Sequence, residues 1–346
     1  MKTTAAILVE LAKPLELVEL EIPPLKSGQV LVEIAYSGVC HTQISEARGH
    51  RGPDAFLPHC LGHEATGTVR EVSPGVTKVA AGDRVVLSWL KGSGANVPGT
   101  VYGWNGRTVN AGGVTTFQRH AVVSENRLTK LPPGLDPADA VMLGCALPTG
   151  MGAVLNTARA EAGSSIVVMG AGGIGLCAVM AAKASGCVPI IAVDPNPMKR
   201  KLALELGATH AFDPTVADPV KEIRLLTNGG ADYAIEATGR PDVMLQAAHC
   251  VRPQGGRAVI VGNAHAGSHI QLDPRILNDG KSLLGTWGGD SQPDRDVPRF
   301  ARLMSAGRIA VRPLLSDPYR LENINAALDD LEAGRVGRPL IDMSLV

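Results

Sequence analysis

The 346-residue sequence is poor in aromatics, which make up only 3% of it, and it carries no formal net charge. Balanced charge removes the electrostatic footprint of a nucleic-acid-binding face. Its one short basic cluster is Lys199-Arg200-Lys201. No apolar run has the length and continuity of a bilayer-spanning segment, and the first residues lack an apolar core followed by a cleavage site. A cytoplasmic protein with no membrane or nucleic-acid partner is expected. Closely spaced cysteine pairs are also missing. The six cysteines stand singly, which points away from a disulfide framework and towards metal ligands or buried thiols. Gly is abundant at 40 residues. That suits an α/β protein with many tight turns, of one large or two ordinary domains.

Residues 1–145 read mostly as short strands. Gln29–Tyr36 alternates apolar and polar residues, as a half-buried strand does. Thr66–Val72 and Arg84–Leu87 follow the same pattern, separated by Pro74-Gly75 and Gly82-Asp83 turns. Beyond about residue 150 the texture changes. Ser165–Met169, Val188–Val193, Ala231–Glu236 and Arg257–Val261 are short apolar strands. An Ala-rich helix reaches about Ser185, and Lys199–Leu206 is a helix stopped by Gly207. Strands alternating with helices imply right-handed βαβ units and a parallel sheet. One further helix is expected at Leu321–Glu332, in a tail that returns to the first domain.

Two constellations carry chemistry. Cys40, His63 and Cys145 offer one imidazole and two thiolates, a ligand set that suits a catalytic zinc with one position left open. Cys60 and His63 make a competing Cys-x-x-His spacing. Isolated cysteines are usually small buried hydrophobes, and Cys60, Cys177, Cys187 and Cys250 are read that way. The second constellation follows the strand SIVVM. Gly170, Gly172 and Gly175, with Gly173 inside the same turn, fit Gly-x-Gly-x-x-Gly. These glycines permit the tight turn, the approach of a pyrophosphate, and close helix–strand packing. The helix that follows turns its N-terminal N–H groups to the phosphates. Asp194 ends the next strand, about 20 residues on, where an acid can accept hydrogen bonds from the adenosine ribose and repel a 2′-phosphate. NAD(H) is the expected coenzyme. A helix N-cap or turn residue is the alternative reading of Asp194.

GVCHT (38–42), GHEATG (62–67), GDRVVL (82–87), LGCALPTGMGA (143–153), VVMGAGGIG (167–175) and AVDPNPMK (192–199) together resemble the zinc-dependent alcohol dehydrogenases of the medium-chain dehydrogenase/reductase superfamily. The resemblance runs nearly end to end. It implies a GroES-like β-rich catalytic domain (1–146 and 288–346), a Rossmann NAD-binding domain (147–287), and a site in the cleft between them. By matching position, Cys40, His63 and Cys145 look like ligands of one catalytic zinc, and Glu64 like an acidic neighbour that approaches the metal. Thr42 looks like the hydroxyl that takes the alcohol proton. His41 and Arg338 match residues on the pyrophosphate. Thr149 and Ile174 match positions beside the nicotinamide, and Lys199 one near the adenosine ribose. Val261 and Trp287 fall near positions bordering the nicotinamide. A homodimer or homotetramer acting on a small alcohol or carbonyl compound is implied.

The sequence departs from the family in several places. The stretch 88–113 has no cysteine, so no second, structural zinc is expected there. An ordered loop covering the cleft or a subunit contact is one reading of this stretch, and a floppy surface loop is the other. Gln43 stands where an acid often orients a zinc-bound histidine. Ser45 replaces a histidine of the proton relay, leaving the coenzyme ribose, water or His50 to receive the proton from Thr42. Trp89 matches an aromatic wall position. Arg48, His50 and Arg51 either favour a polar or anionic alcohol or form a solvated loop. A polyol or sugar-type dehydrogenase, a non-catalytic dinucleotide-binding protein and a zinc-free enone reductase are the competing readings.

Overall fold

A computed structural model describes residues 1–345. Its contacts divide the chain into two compact units. The first comprises Met1–Cys145, Gln292–Ser305 and the chain from Val311 onward. It holds a closed barrel of Lys2–Leu8, Glu16–Glu21, Val101–Trp104, Arg107–Asn110 and His59–Cys60. Beside the barrel lies a seven-stranded sheet whose central members are Arg84–Ser88, Glu64–Val72, Gln29–Gly38 and Arg338–Asp342. His120–Ser124 also pairs with Gln29–Gly38.

The alternation in Gln29–Gly38 predicts one buried face, yet most of this strand is buried on both. The reason is that its two faces serve two cores. Val30, Val32 and Ile34 join the larger apolar cluster, whereas Leu31 packs into the barrel with Ile7, Leu20 and Tyr102. Even Gln29 is buried, its amide donating to the Thr100 hydroxyl at 3.1 Å. A buried amide with partners costs little, while an unpaired one would be expensive.

The stretch 88–113 contains a hairpin, Val101–Trp104 and Arg107–Asn110, that supplies two of the barrel strands. Tyr102 fixes it. Its buried hydroxyl accepts from Gln118 Nε2 and from the Val122 N–H, each at 2.9 Å. The Glu125 carboxylate holds the preceding loop by accepting the Thr77, Lys78 and Ala95 amides.

The second unit comprises Ala146–Ser291 and Ala306–Ala310. Its six strands are all parallel and lie in the order His210–Phe212, Ile190–Val193, Ile166–Met169, Tyr233–Glu236, Arg257–Ile260, Ser282–Gly285. This is the doubly wound Rossmann order, and the strand order reverses between Ile166–Met169 and Tyr233–Glu236, the first strand and the fourth. Strands buried on both faces read as continuous apolar runs, and Ile166–Met169 is buried throughout. Helix Pro197–Leu206 begins two residues before the expected Lys199. Asn196 caps it, accepting from the Met198 and Lys199 amides, and Pro197 suits the first helical position. The helix expected at Leu321–Glu332 is a 3₁₀ turn, Leu321–Asn323, running into Ile324–Glu332. Among the described residues no single helix is long and apolar enough to cross a membrane.

Candidate metal centre and coenzyme turn

Three local structures place the metal-ligating groups, all within the first unit. Cys40 precedes helix His41–Ala47 in extended conformation. Its N–H donates to Gln43 Oε1 at 3.0 Å, which closes the first turn. His63 follows Gly62, whose φ is +88°. A Cβ on Gly62 would stand 2.3 Å from Thr116 Oγ1 and 2.9 Å from the Phe117 nitrogen. Only glycine therefore admits the bend that turns His63 inward. Cys145 ends the 3₁₀ turn Val141–Gly144. Gly144 packs so tightly on the Leu87 carbonyl, 2.5 Å from its ideal Cβ position, that no side chain fits there either.

The result is that Cys40 Sγ, Cys145 Sγ and a ring nitrogen of His63 all lie within 4.8 Å of one another. His63 Nε2 is 3.2 Å from Cys145 Sγ, and Gln43 Nε2 is 2.5 Å from His63 Nδ1. The hydrogen bond from Cys145 holds the Cys40 thiol well below its ordinary pKa, against the effect of burial. The same contact, together with burial, pushes Cys145 well above the ordinary value. Burial disfavours a charged His63. The hydrogen bond and charge of Cys40 outweigh that and raise the His63 pKa. Two soft thiols and an imidazole, buried and converging, fit a zinc ion. Cys60 does not join them. It sits in the barrel core, where burial raises its pKa.

Behind the triad lies a buried ion pair that the sequence reading did not anticipate. Arg338 is 3% exposed and Glu64 is 0% exposed. Their Nε and Oε1 atoms are 2.7 Å apart. At this distance and burial the contact joins opposite charges directly. Burial would lower the Arg338 pKa, but the charge of Glu64, Cys40 and Cys145 raises it. Arg338 therefore stands as a counter-ion to the anionic cluster. It was expected on a pyrophosphate, and no feature of short-range sequence shows that Glu64 would be its partner.

Thr42 and Ser45 are half-buried, and His41 and His50 are exposed. Two of the cations that follow the helix, Arg48 and Arg51, are engaged. Arg48 pairs with Asp329 at 2.5 Å and Glu332 at 3.0 Å, and Arg51 pairs with Glu46 at 2.8 Å. Trp89 packs against the larger core of this unit.

In the second unit the glycine turn has three different fits. Gly170 has φ +94°, and a Cβ there would meet Thr238 Cγ2 at 2.7 Å. A Cβ on Gly175 would stand 1.7 Å from the Gly170 carbonyl oxygen. Around Gly172, by contrast, nothing lies within 4 Å of the ideal Cβ. The open space lies at the start of helix Gly173–Ser185, where backbone N–H groups favour a phosphate. Asp194 is 7% exposed. Its Oδ2 accepts the Ala171 amide and its Oδ1 the Asn196 amide, both at 2.8 Å. Asp194 thus braces the turn, while the cap of the following helix is Asn196 and not Asp194.

Arg200, the middle residue of the short basic cluster, lies nearby. Its Nη1 donates to the Asp194 and Pro195 carbonyls and pairs with Asp213. Lys199 is half-buried. Thr149 and Ile174 come from adjoining segments, since the ideal Cβ of Gly150 lies 2.4 Å from the Ile174 carbonyl oxygen. The Thr149 hydroxyl is buried and unpartnered. Val261 donates its N–H to the Glu236 carbonyl at 2.9 Å. Trp287 is 75% exposed, just past strand Ser282–Gly285.

Comparison with known proteins agrees with this arrangement. Residues 26–133 match the model of the alcohol dehydrogenase GroES-like domain, and residues 173–306 that of the zinc-binding dehydrogenase domain. An S-(hydroxymethyl)glutathione dehydrogenase of Synechocystis sp. is 34% identical over 99% of this chain and 100% of its own length. A putative alcohol dehydrogenase D of Mycobacterium tuberculosis is 33% identical over 99% of this chain and 100% of its own. The crystal structure of benzyl alcohol dehydrogenase from Acinetobacter calcoaceticus superposes with a TM-score of 0.91 at 31% identity, covering 99% of both chains. The chain belongs to the zinc-dependent alcohol dehydrogenases of the medium-chain dehydrogenase/reductase superfamily.

Proposed function

We propose that this protein reversibly oxidises an uncharged alcohol to an aldehyde or ketone, with NAD⁺ as hydride acceptor. The observation that carries this reading is the convergence of Cys40, His63 and Cys145 within 4.8 Å. Cys40, His63 and Cys145 would hold a zinc ion, which would supply the Lewis acidity that lowers the pKa of the alcohol, and a nicotinamide coenzyme would supply the hydride acceptor. The rest falls to the chain's own side chains. Cys40 and Cys145 bring negative charge to the metal, and the Arg338 cation offsets part of the combined charge of these thiolates and Glu64. Thr42, a neutral hydroxyl, takes the proton of the alcohol and passes it outward. The glycine turn, with Gly170, Gly172, Gly173 and Gly175, receives the pyrophosphate, assisted by His41. Asp194, with Lys199 near it, orients the adenosine ribose and sets the preference for NAD over NADP. Thr149, Ile174, Val261 and Trp287 border the nicotinamide.

Some relatives are named for S-(hydroxymethyl)glutathione, an anionic substrate. The carboxylate partners of Arg48 and Arg51 favour a neutral alcohol here instead. Residues 1–146 and 288–346 are proposed to form the metal-bearing domain and 147–287 the coenzyme domain. A cytoplasmic homodimer or homotetramer is further proposed. Six free cysteines suit a reducing compartment, and Ser282–Gly285 ends its sheet with one edge unpaired within the chain. The test is a screen of NAD⁺ reduction with primary, secondary, aromatic, polyhydroxy and anionic alcohols, with metal analysis and a Cys40→Ala control. One zinc per chain and turnover of neutral alcohols are expected. Faster turnover of the anionic alcohols, or EDTA-insensitive activity, would overturn the reading.

A further inference from the structure

We infer that Asn156 and Thr157 are positioning residues, set side by side by a π-helical turn, that clamp the segment Thr286–Ser291 and so fix the spacing of Trp287 and Thr149 at the nicotinamide end of the coenzyme. It rests on the proposed place of Thr149 and Trp287 beside the nicotinamide.

Helix Ala146–Gly152, which carries Thr149, does not continue in α form. It runs into a π-helix, Ala153–Ala158, that ends on Arg159 in the left-handed region at φ +55°. Hydrogen bonding to the fifth residue along puts more residues into each turn, an uncommon arrangement that recurs at functional sites. Here two consecutive side chains reach the same segment. Asn156 Nδ2 donates to the Gly289 carbonyl at 3.2 Å and to Ser291 Oγ at 3.3 Å. Ser291 Oγ in turn donates to the Pro148 carbonyl at 2.8 Å. Thr157 Oγ1 lies 2.7 Å from Asp290 Oδ2 and 2.7 Å from Thr286 Oγ1. An ionised carboxylate only accepts, so Thr157 gives its proton to Asp290 and the Thr286 hydroxyl donates to Thr157.

The clamped segment has an unusual backbone. Gly288, Gly289 and Asp290 follow one another at φ +57°, +71° and +48°. Asp290 has a Cβ, so this conformation costs it more than it costs glycine, and it persists where the surroundings over-determine it. The packing leaves no slack. A Cβ on Gly289 would stand 2.3 Å from the Pro148 carbonyl oxygen and 2.6 Å from that of Thr149, and a Cβ on Gly152 would stand 2.3 Å from the Gly289 carbonyl oxygen. Trp287 is 75% exposed, so burial does little to hold it, and the polar clamp just after it sets its place. Gly170, Gly172 and Asp194, proposed for the pyrophosphate and adenosine, stand on other segments. Loosening the clamp should therefore harm one end of the coenzyme and spare the other.

The experiment titrates NADH, and ADP-ribose as the coenzyme without its nicotinamide, into wild type and into Asn156→Ala/Thr157→Val by calorimetry. NADH is expected to bind about 10-fold more weakly to the double variant, since hydrogen bonds of ordinary net strength are lost. ADP-ribose should stay within about twofold of wild type. Thr157→Ser keeps the hydroxyl and should bind NADH as wild type does. Equal weakening of both ligands, the mark of a general structural role, overturns the inference, and so does an unchanged NADH affinity. Should the double variant not fold, Thr157→Val and Ser291→Ala singly carry the same comparison. The nicotinamide reading is tested apart, in the ¹⁹F spectrum of fluorotryptophan-labelled wild type. The Trp287 signal, assigned by its loss in Trp287→Phe, should shift with NADH and not with ADP-ribose. If the two ligands affect it alike, that reading fails and the inference with it. A selective shift beside an unchanged NADH affinity in the double variant sinks the inference alone.

Discussion

Gly172→Ala and Gly175→Ala are chemically identical changes three residues apart, and the structure assigns them opposite consequences. At Gly172 the backbone has φ −78° and the ideal Cβ meets nothing within 4 Å. Alanine costs the folded state no contact there. It restricts the unfolded chain, which stabilises by about 0.4–1 kcal/mol, or about 1–3 °C in Tm. The methyl occupies the space open to a phosphate, however, so NADH affinity should fall at least ~10-fold, or about 1.4 kcal/mol. At Gly175 the Cβ stands 1.7 Å from the Gly170 carbonyl oxygen. Relief requires the helix to move off the turn, and such overpacking costs about 1–3 kcal/mol or more. Gly175→Ala should therefore melt several degrees lower, and its weaker coenzyme binding should follow from the displaced turn. Differential scanning fluorimetry without ligand and calorimetric titration with NADH separate the two effects. The reasoning is refuted if Gly172→Ala is as destabilised as Gly175→Ala, or if it binds NADH like wild type.

Other perturbations bear on separate parts of the molecule. Arg338→Met leaves Glu64 charged and alone in the interior. A loss of about 3–5 kcal/mol is expected in urea unfolding, largely recovered by adding Glu64→Gln; equal instability of single and double variants would contradict the counter-ion role. Asp194→Ala should lower NADH affinity and narrow the gap to NADPH, read by fluorescence titration of both coenzymes. An unchanged ratio would leave Asp194 only its bracing contacts to Ala171 and Asn196. Thiol labelling of metal-free protein at pH 8 should modify Cys40 ahead of Cys250. Cys145 lowers the Cys40 pKa, so its thiolate is present at that pH. Burial pushes Cys250 up to about 12, so that thiol stays protonated until far more alkaline conditions. Earlier labelling of Cys250 by peptide mass analysis would contradict this order.

Local patterns made much of the fold legible. The run SIVVM followed by glycines announces a strand, a turn and a helix because those glycines have no other use so close together. The later apolar strands are legible for the same reason, and their parallel order follows from the helices between them. Element ends were less legible. Asn196 and Pro197 start a helix two residues before the apolar rhythm shows it, since capping is a hydrogen-bond event. The half-buried reading of Gln29–Tyr36 failed because alternation reports one core, and the strand Gln29–Gly38 borders two.

At the site, the types of the ligands were readable but not their surroundings. Cys40, His63 and Cys145 stand out by residue type and motif, and the missing cysteines in 88–113 are a fact of composition. That Cys60, three residues from His63, belongs to the barrel core instead is decided by which face of the chain turns inward at Gly62. Arg338 meets Glu64 only because strand Arg338–Asp342 pairs with Gln29–Gly38, which pairs in turn with Glu64–Val72. The sequence alone therefore determined the chemistry on offer: two thiols, an imidazole and a phosphate-binding turn. The tertiary structure decided which charges neutralise one another and which thiols converge on His63. Those outcomes depend on distances of a few ångströms between segments that the chain's own order keeps far apart.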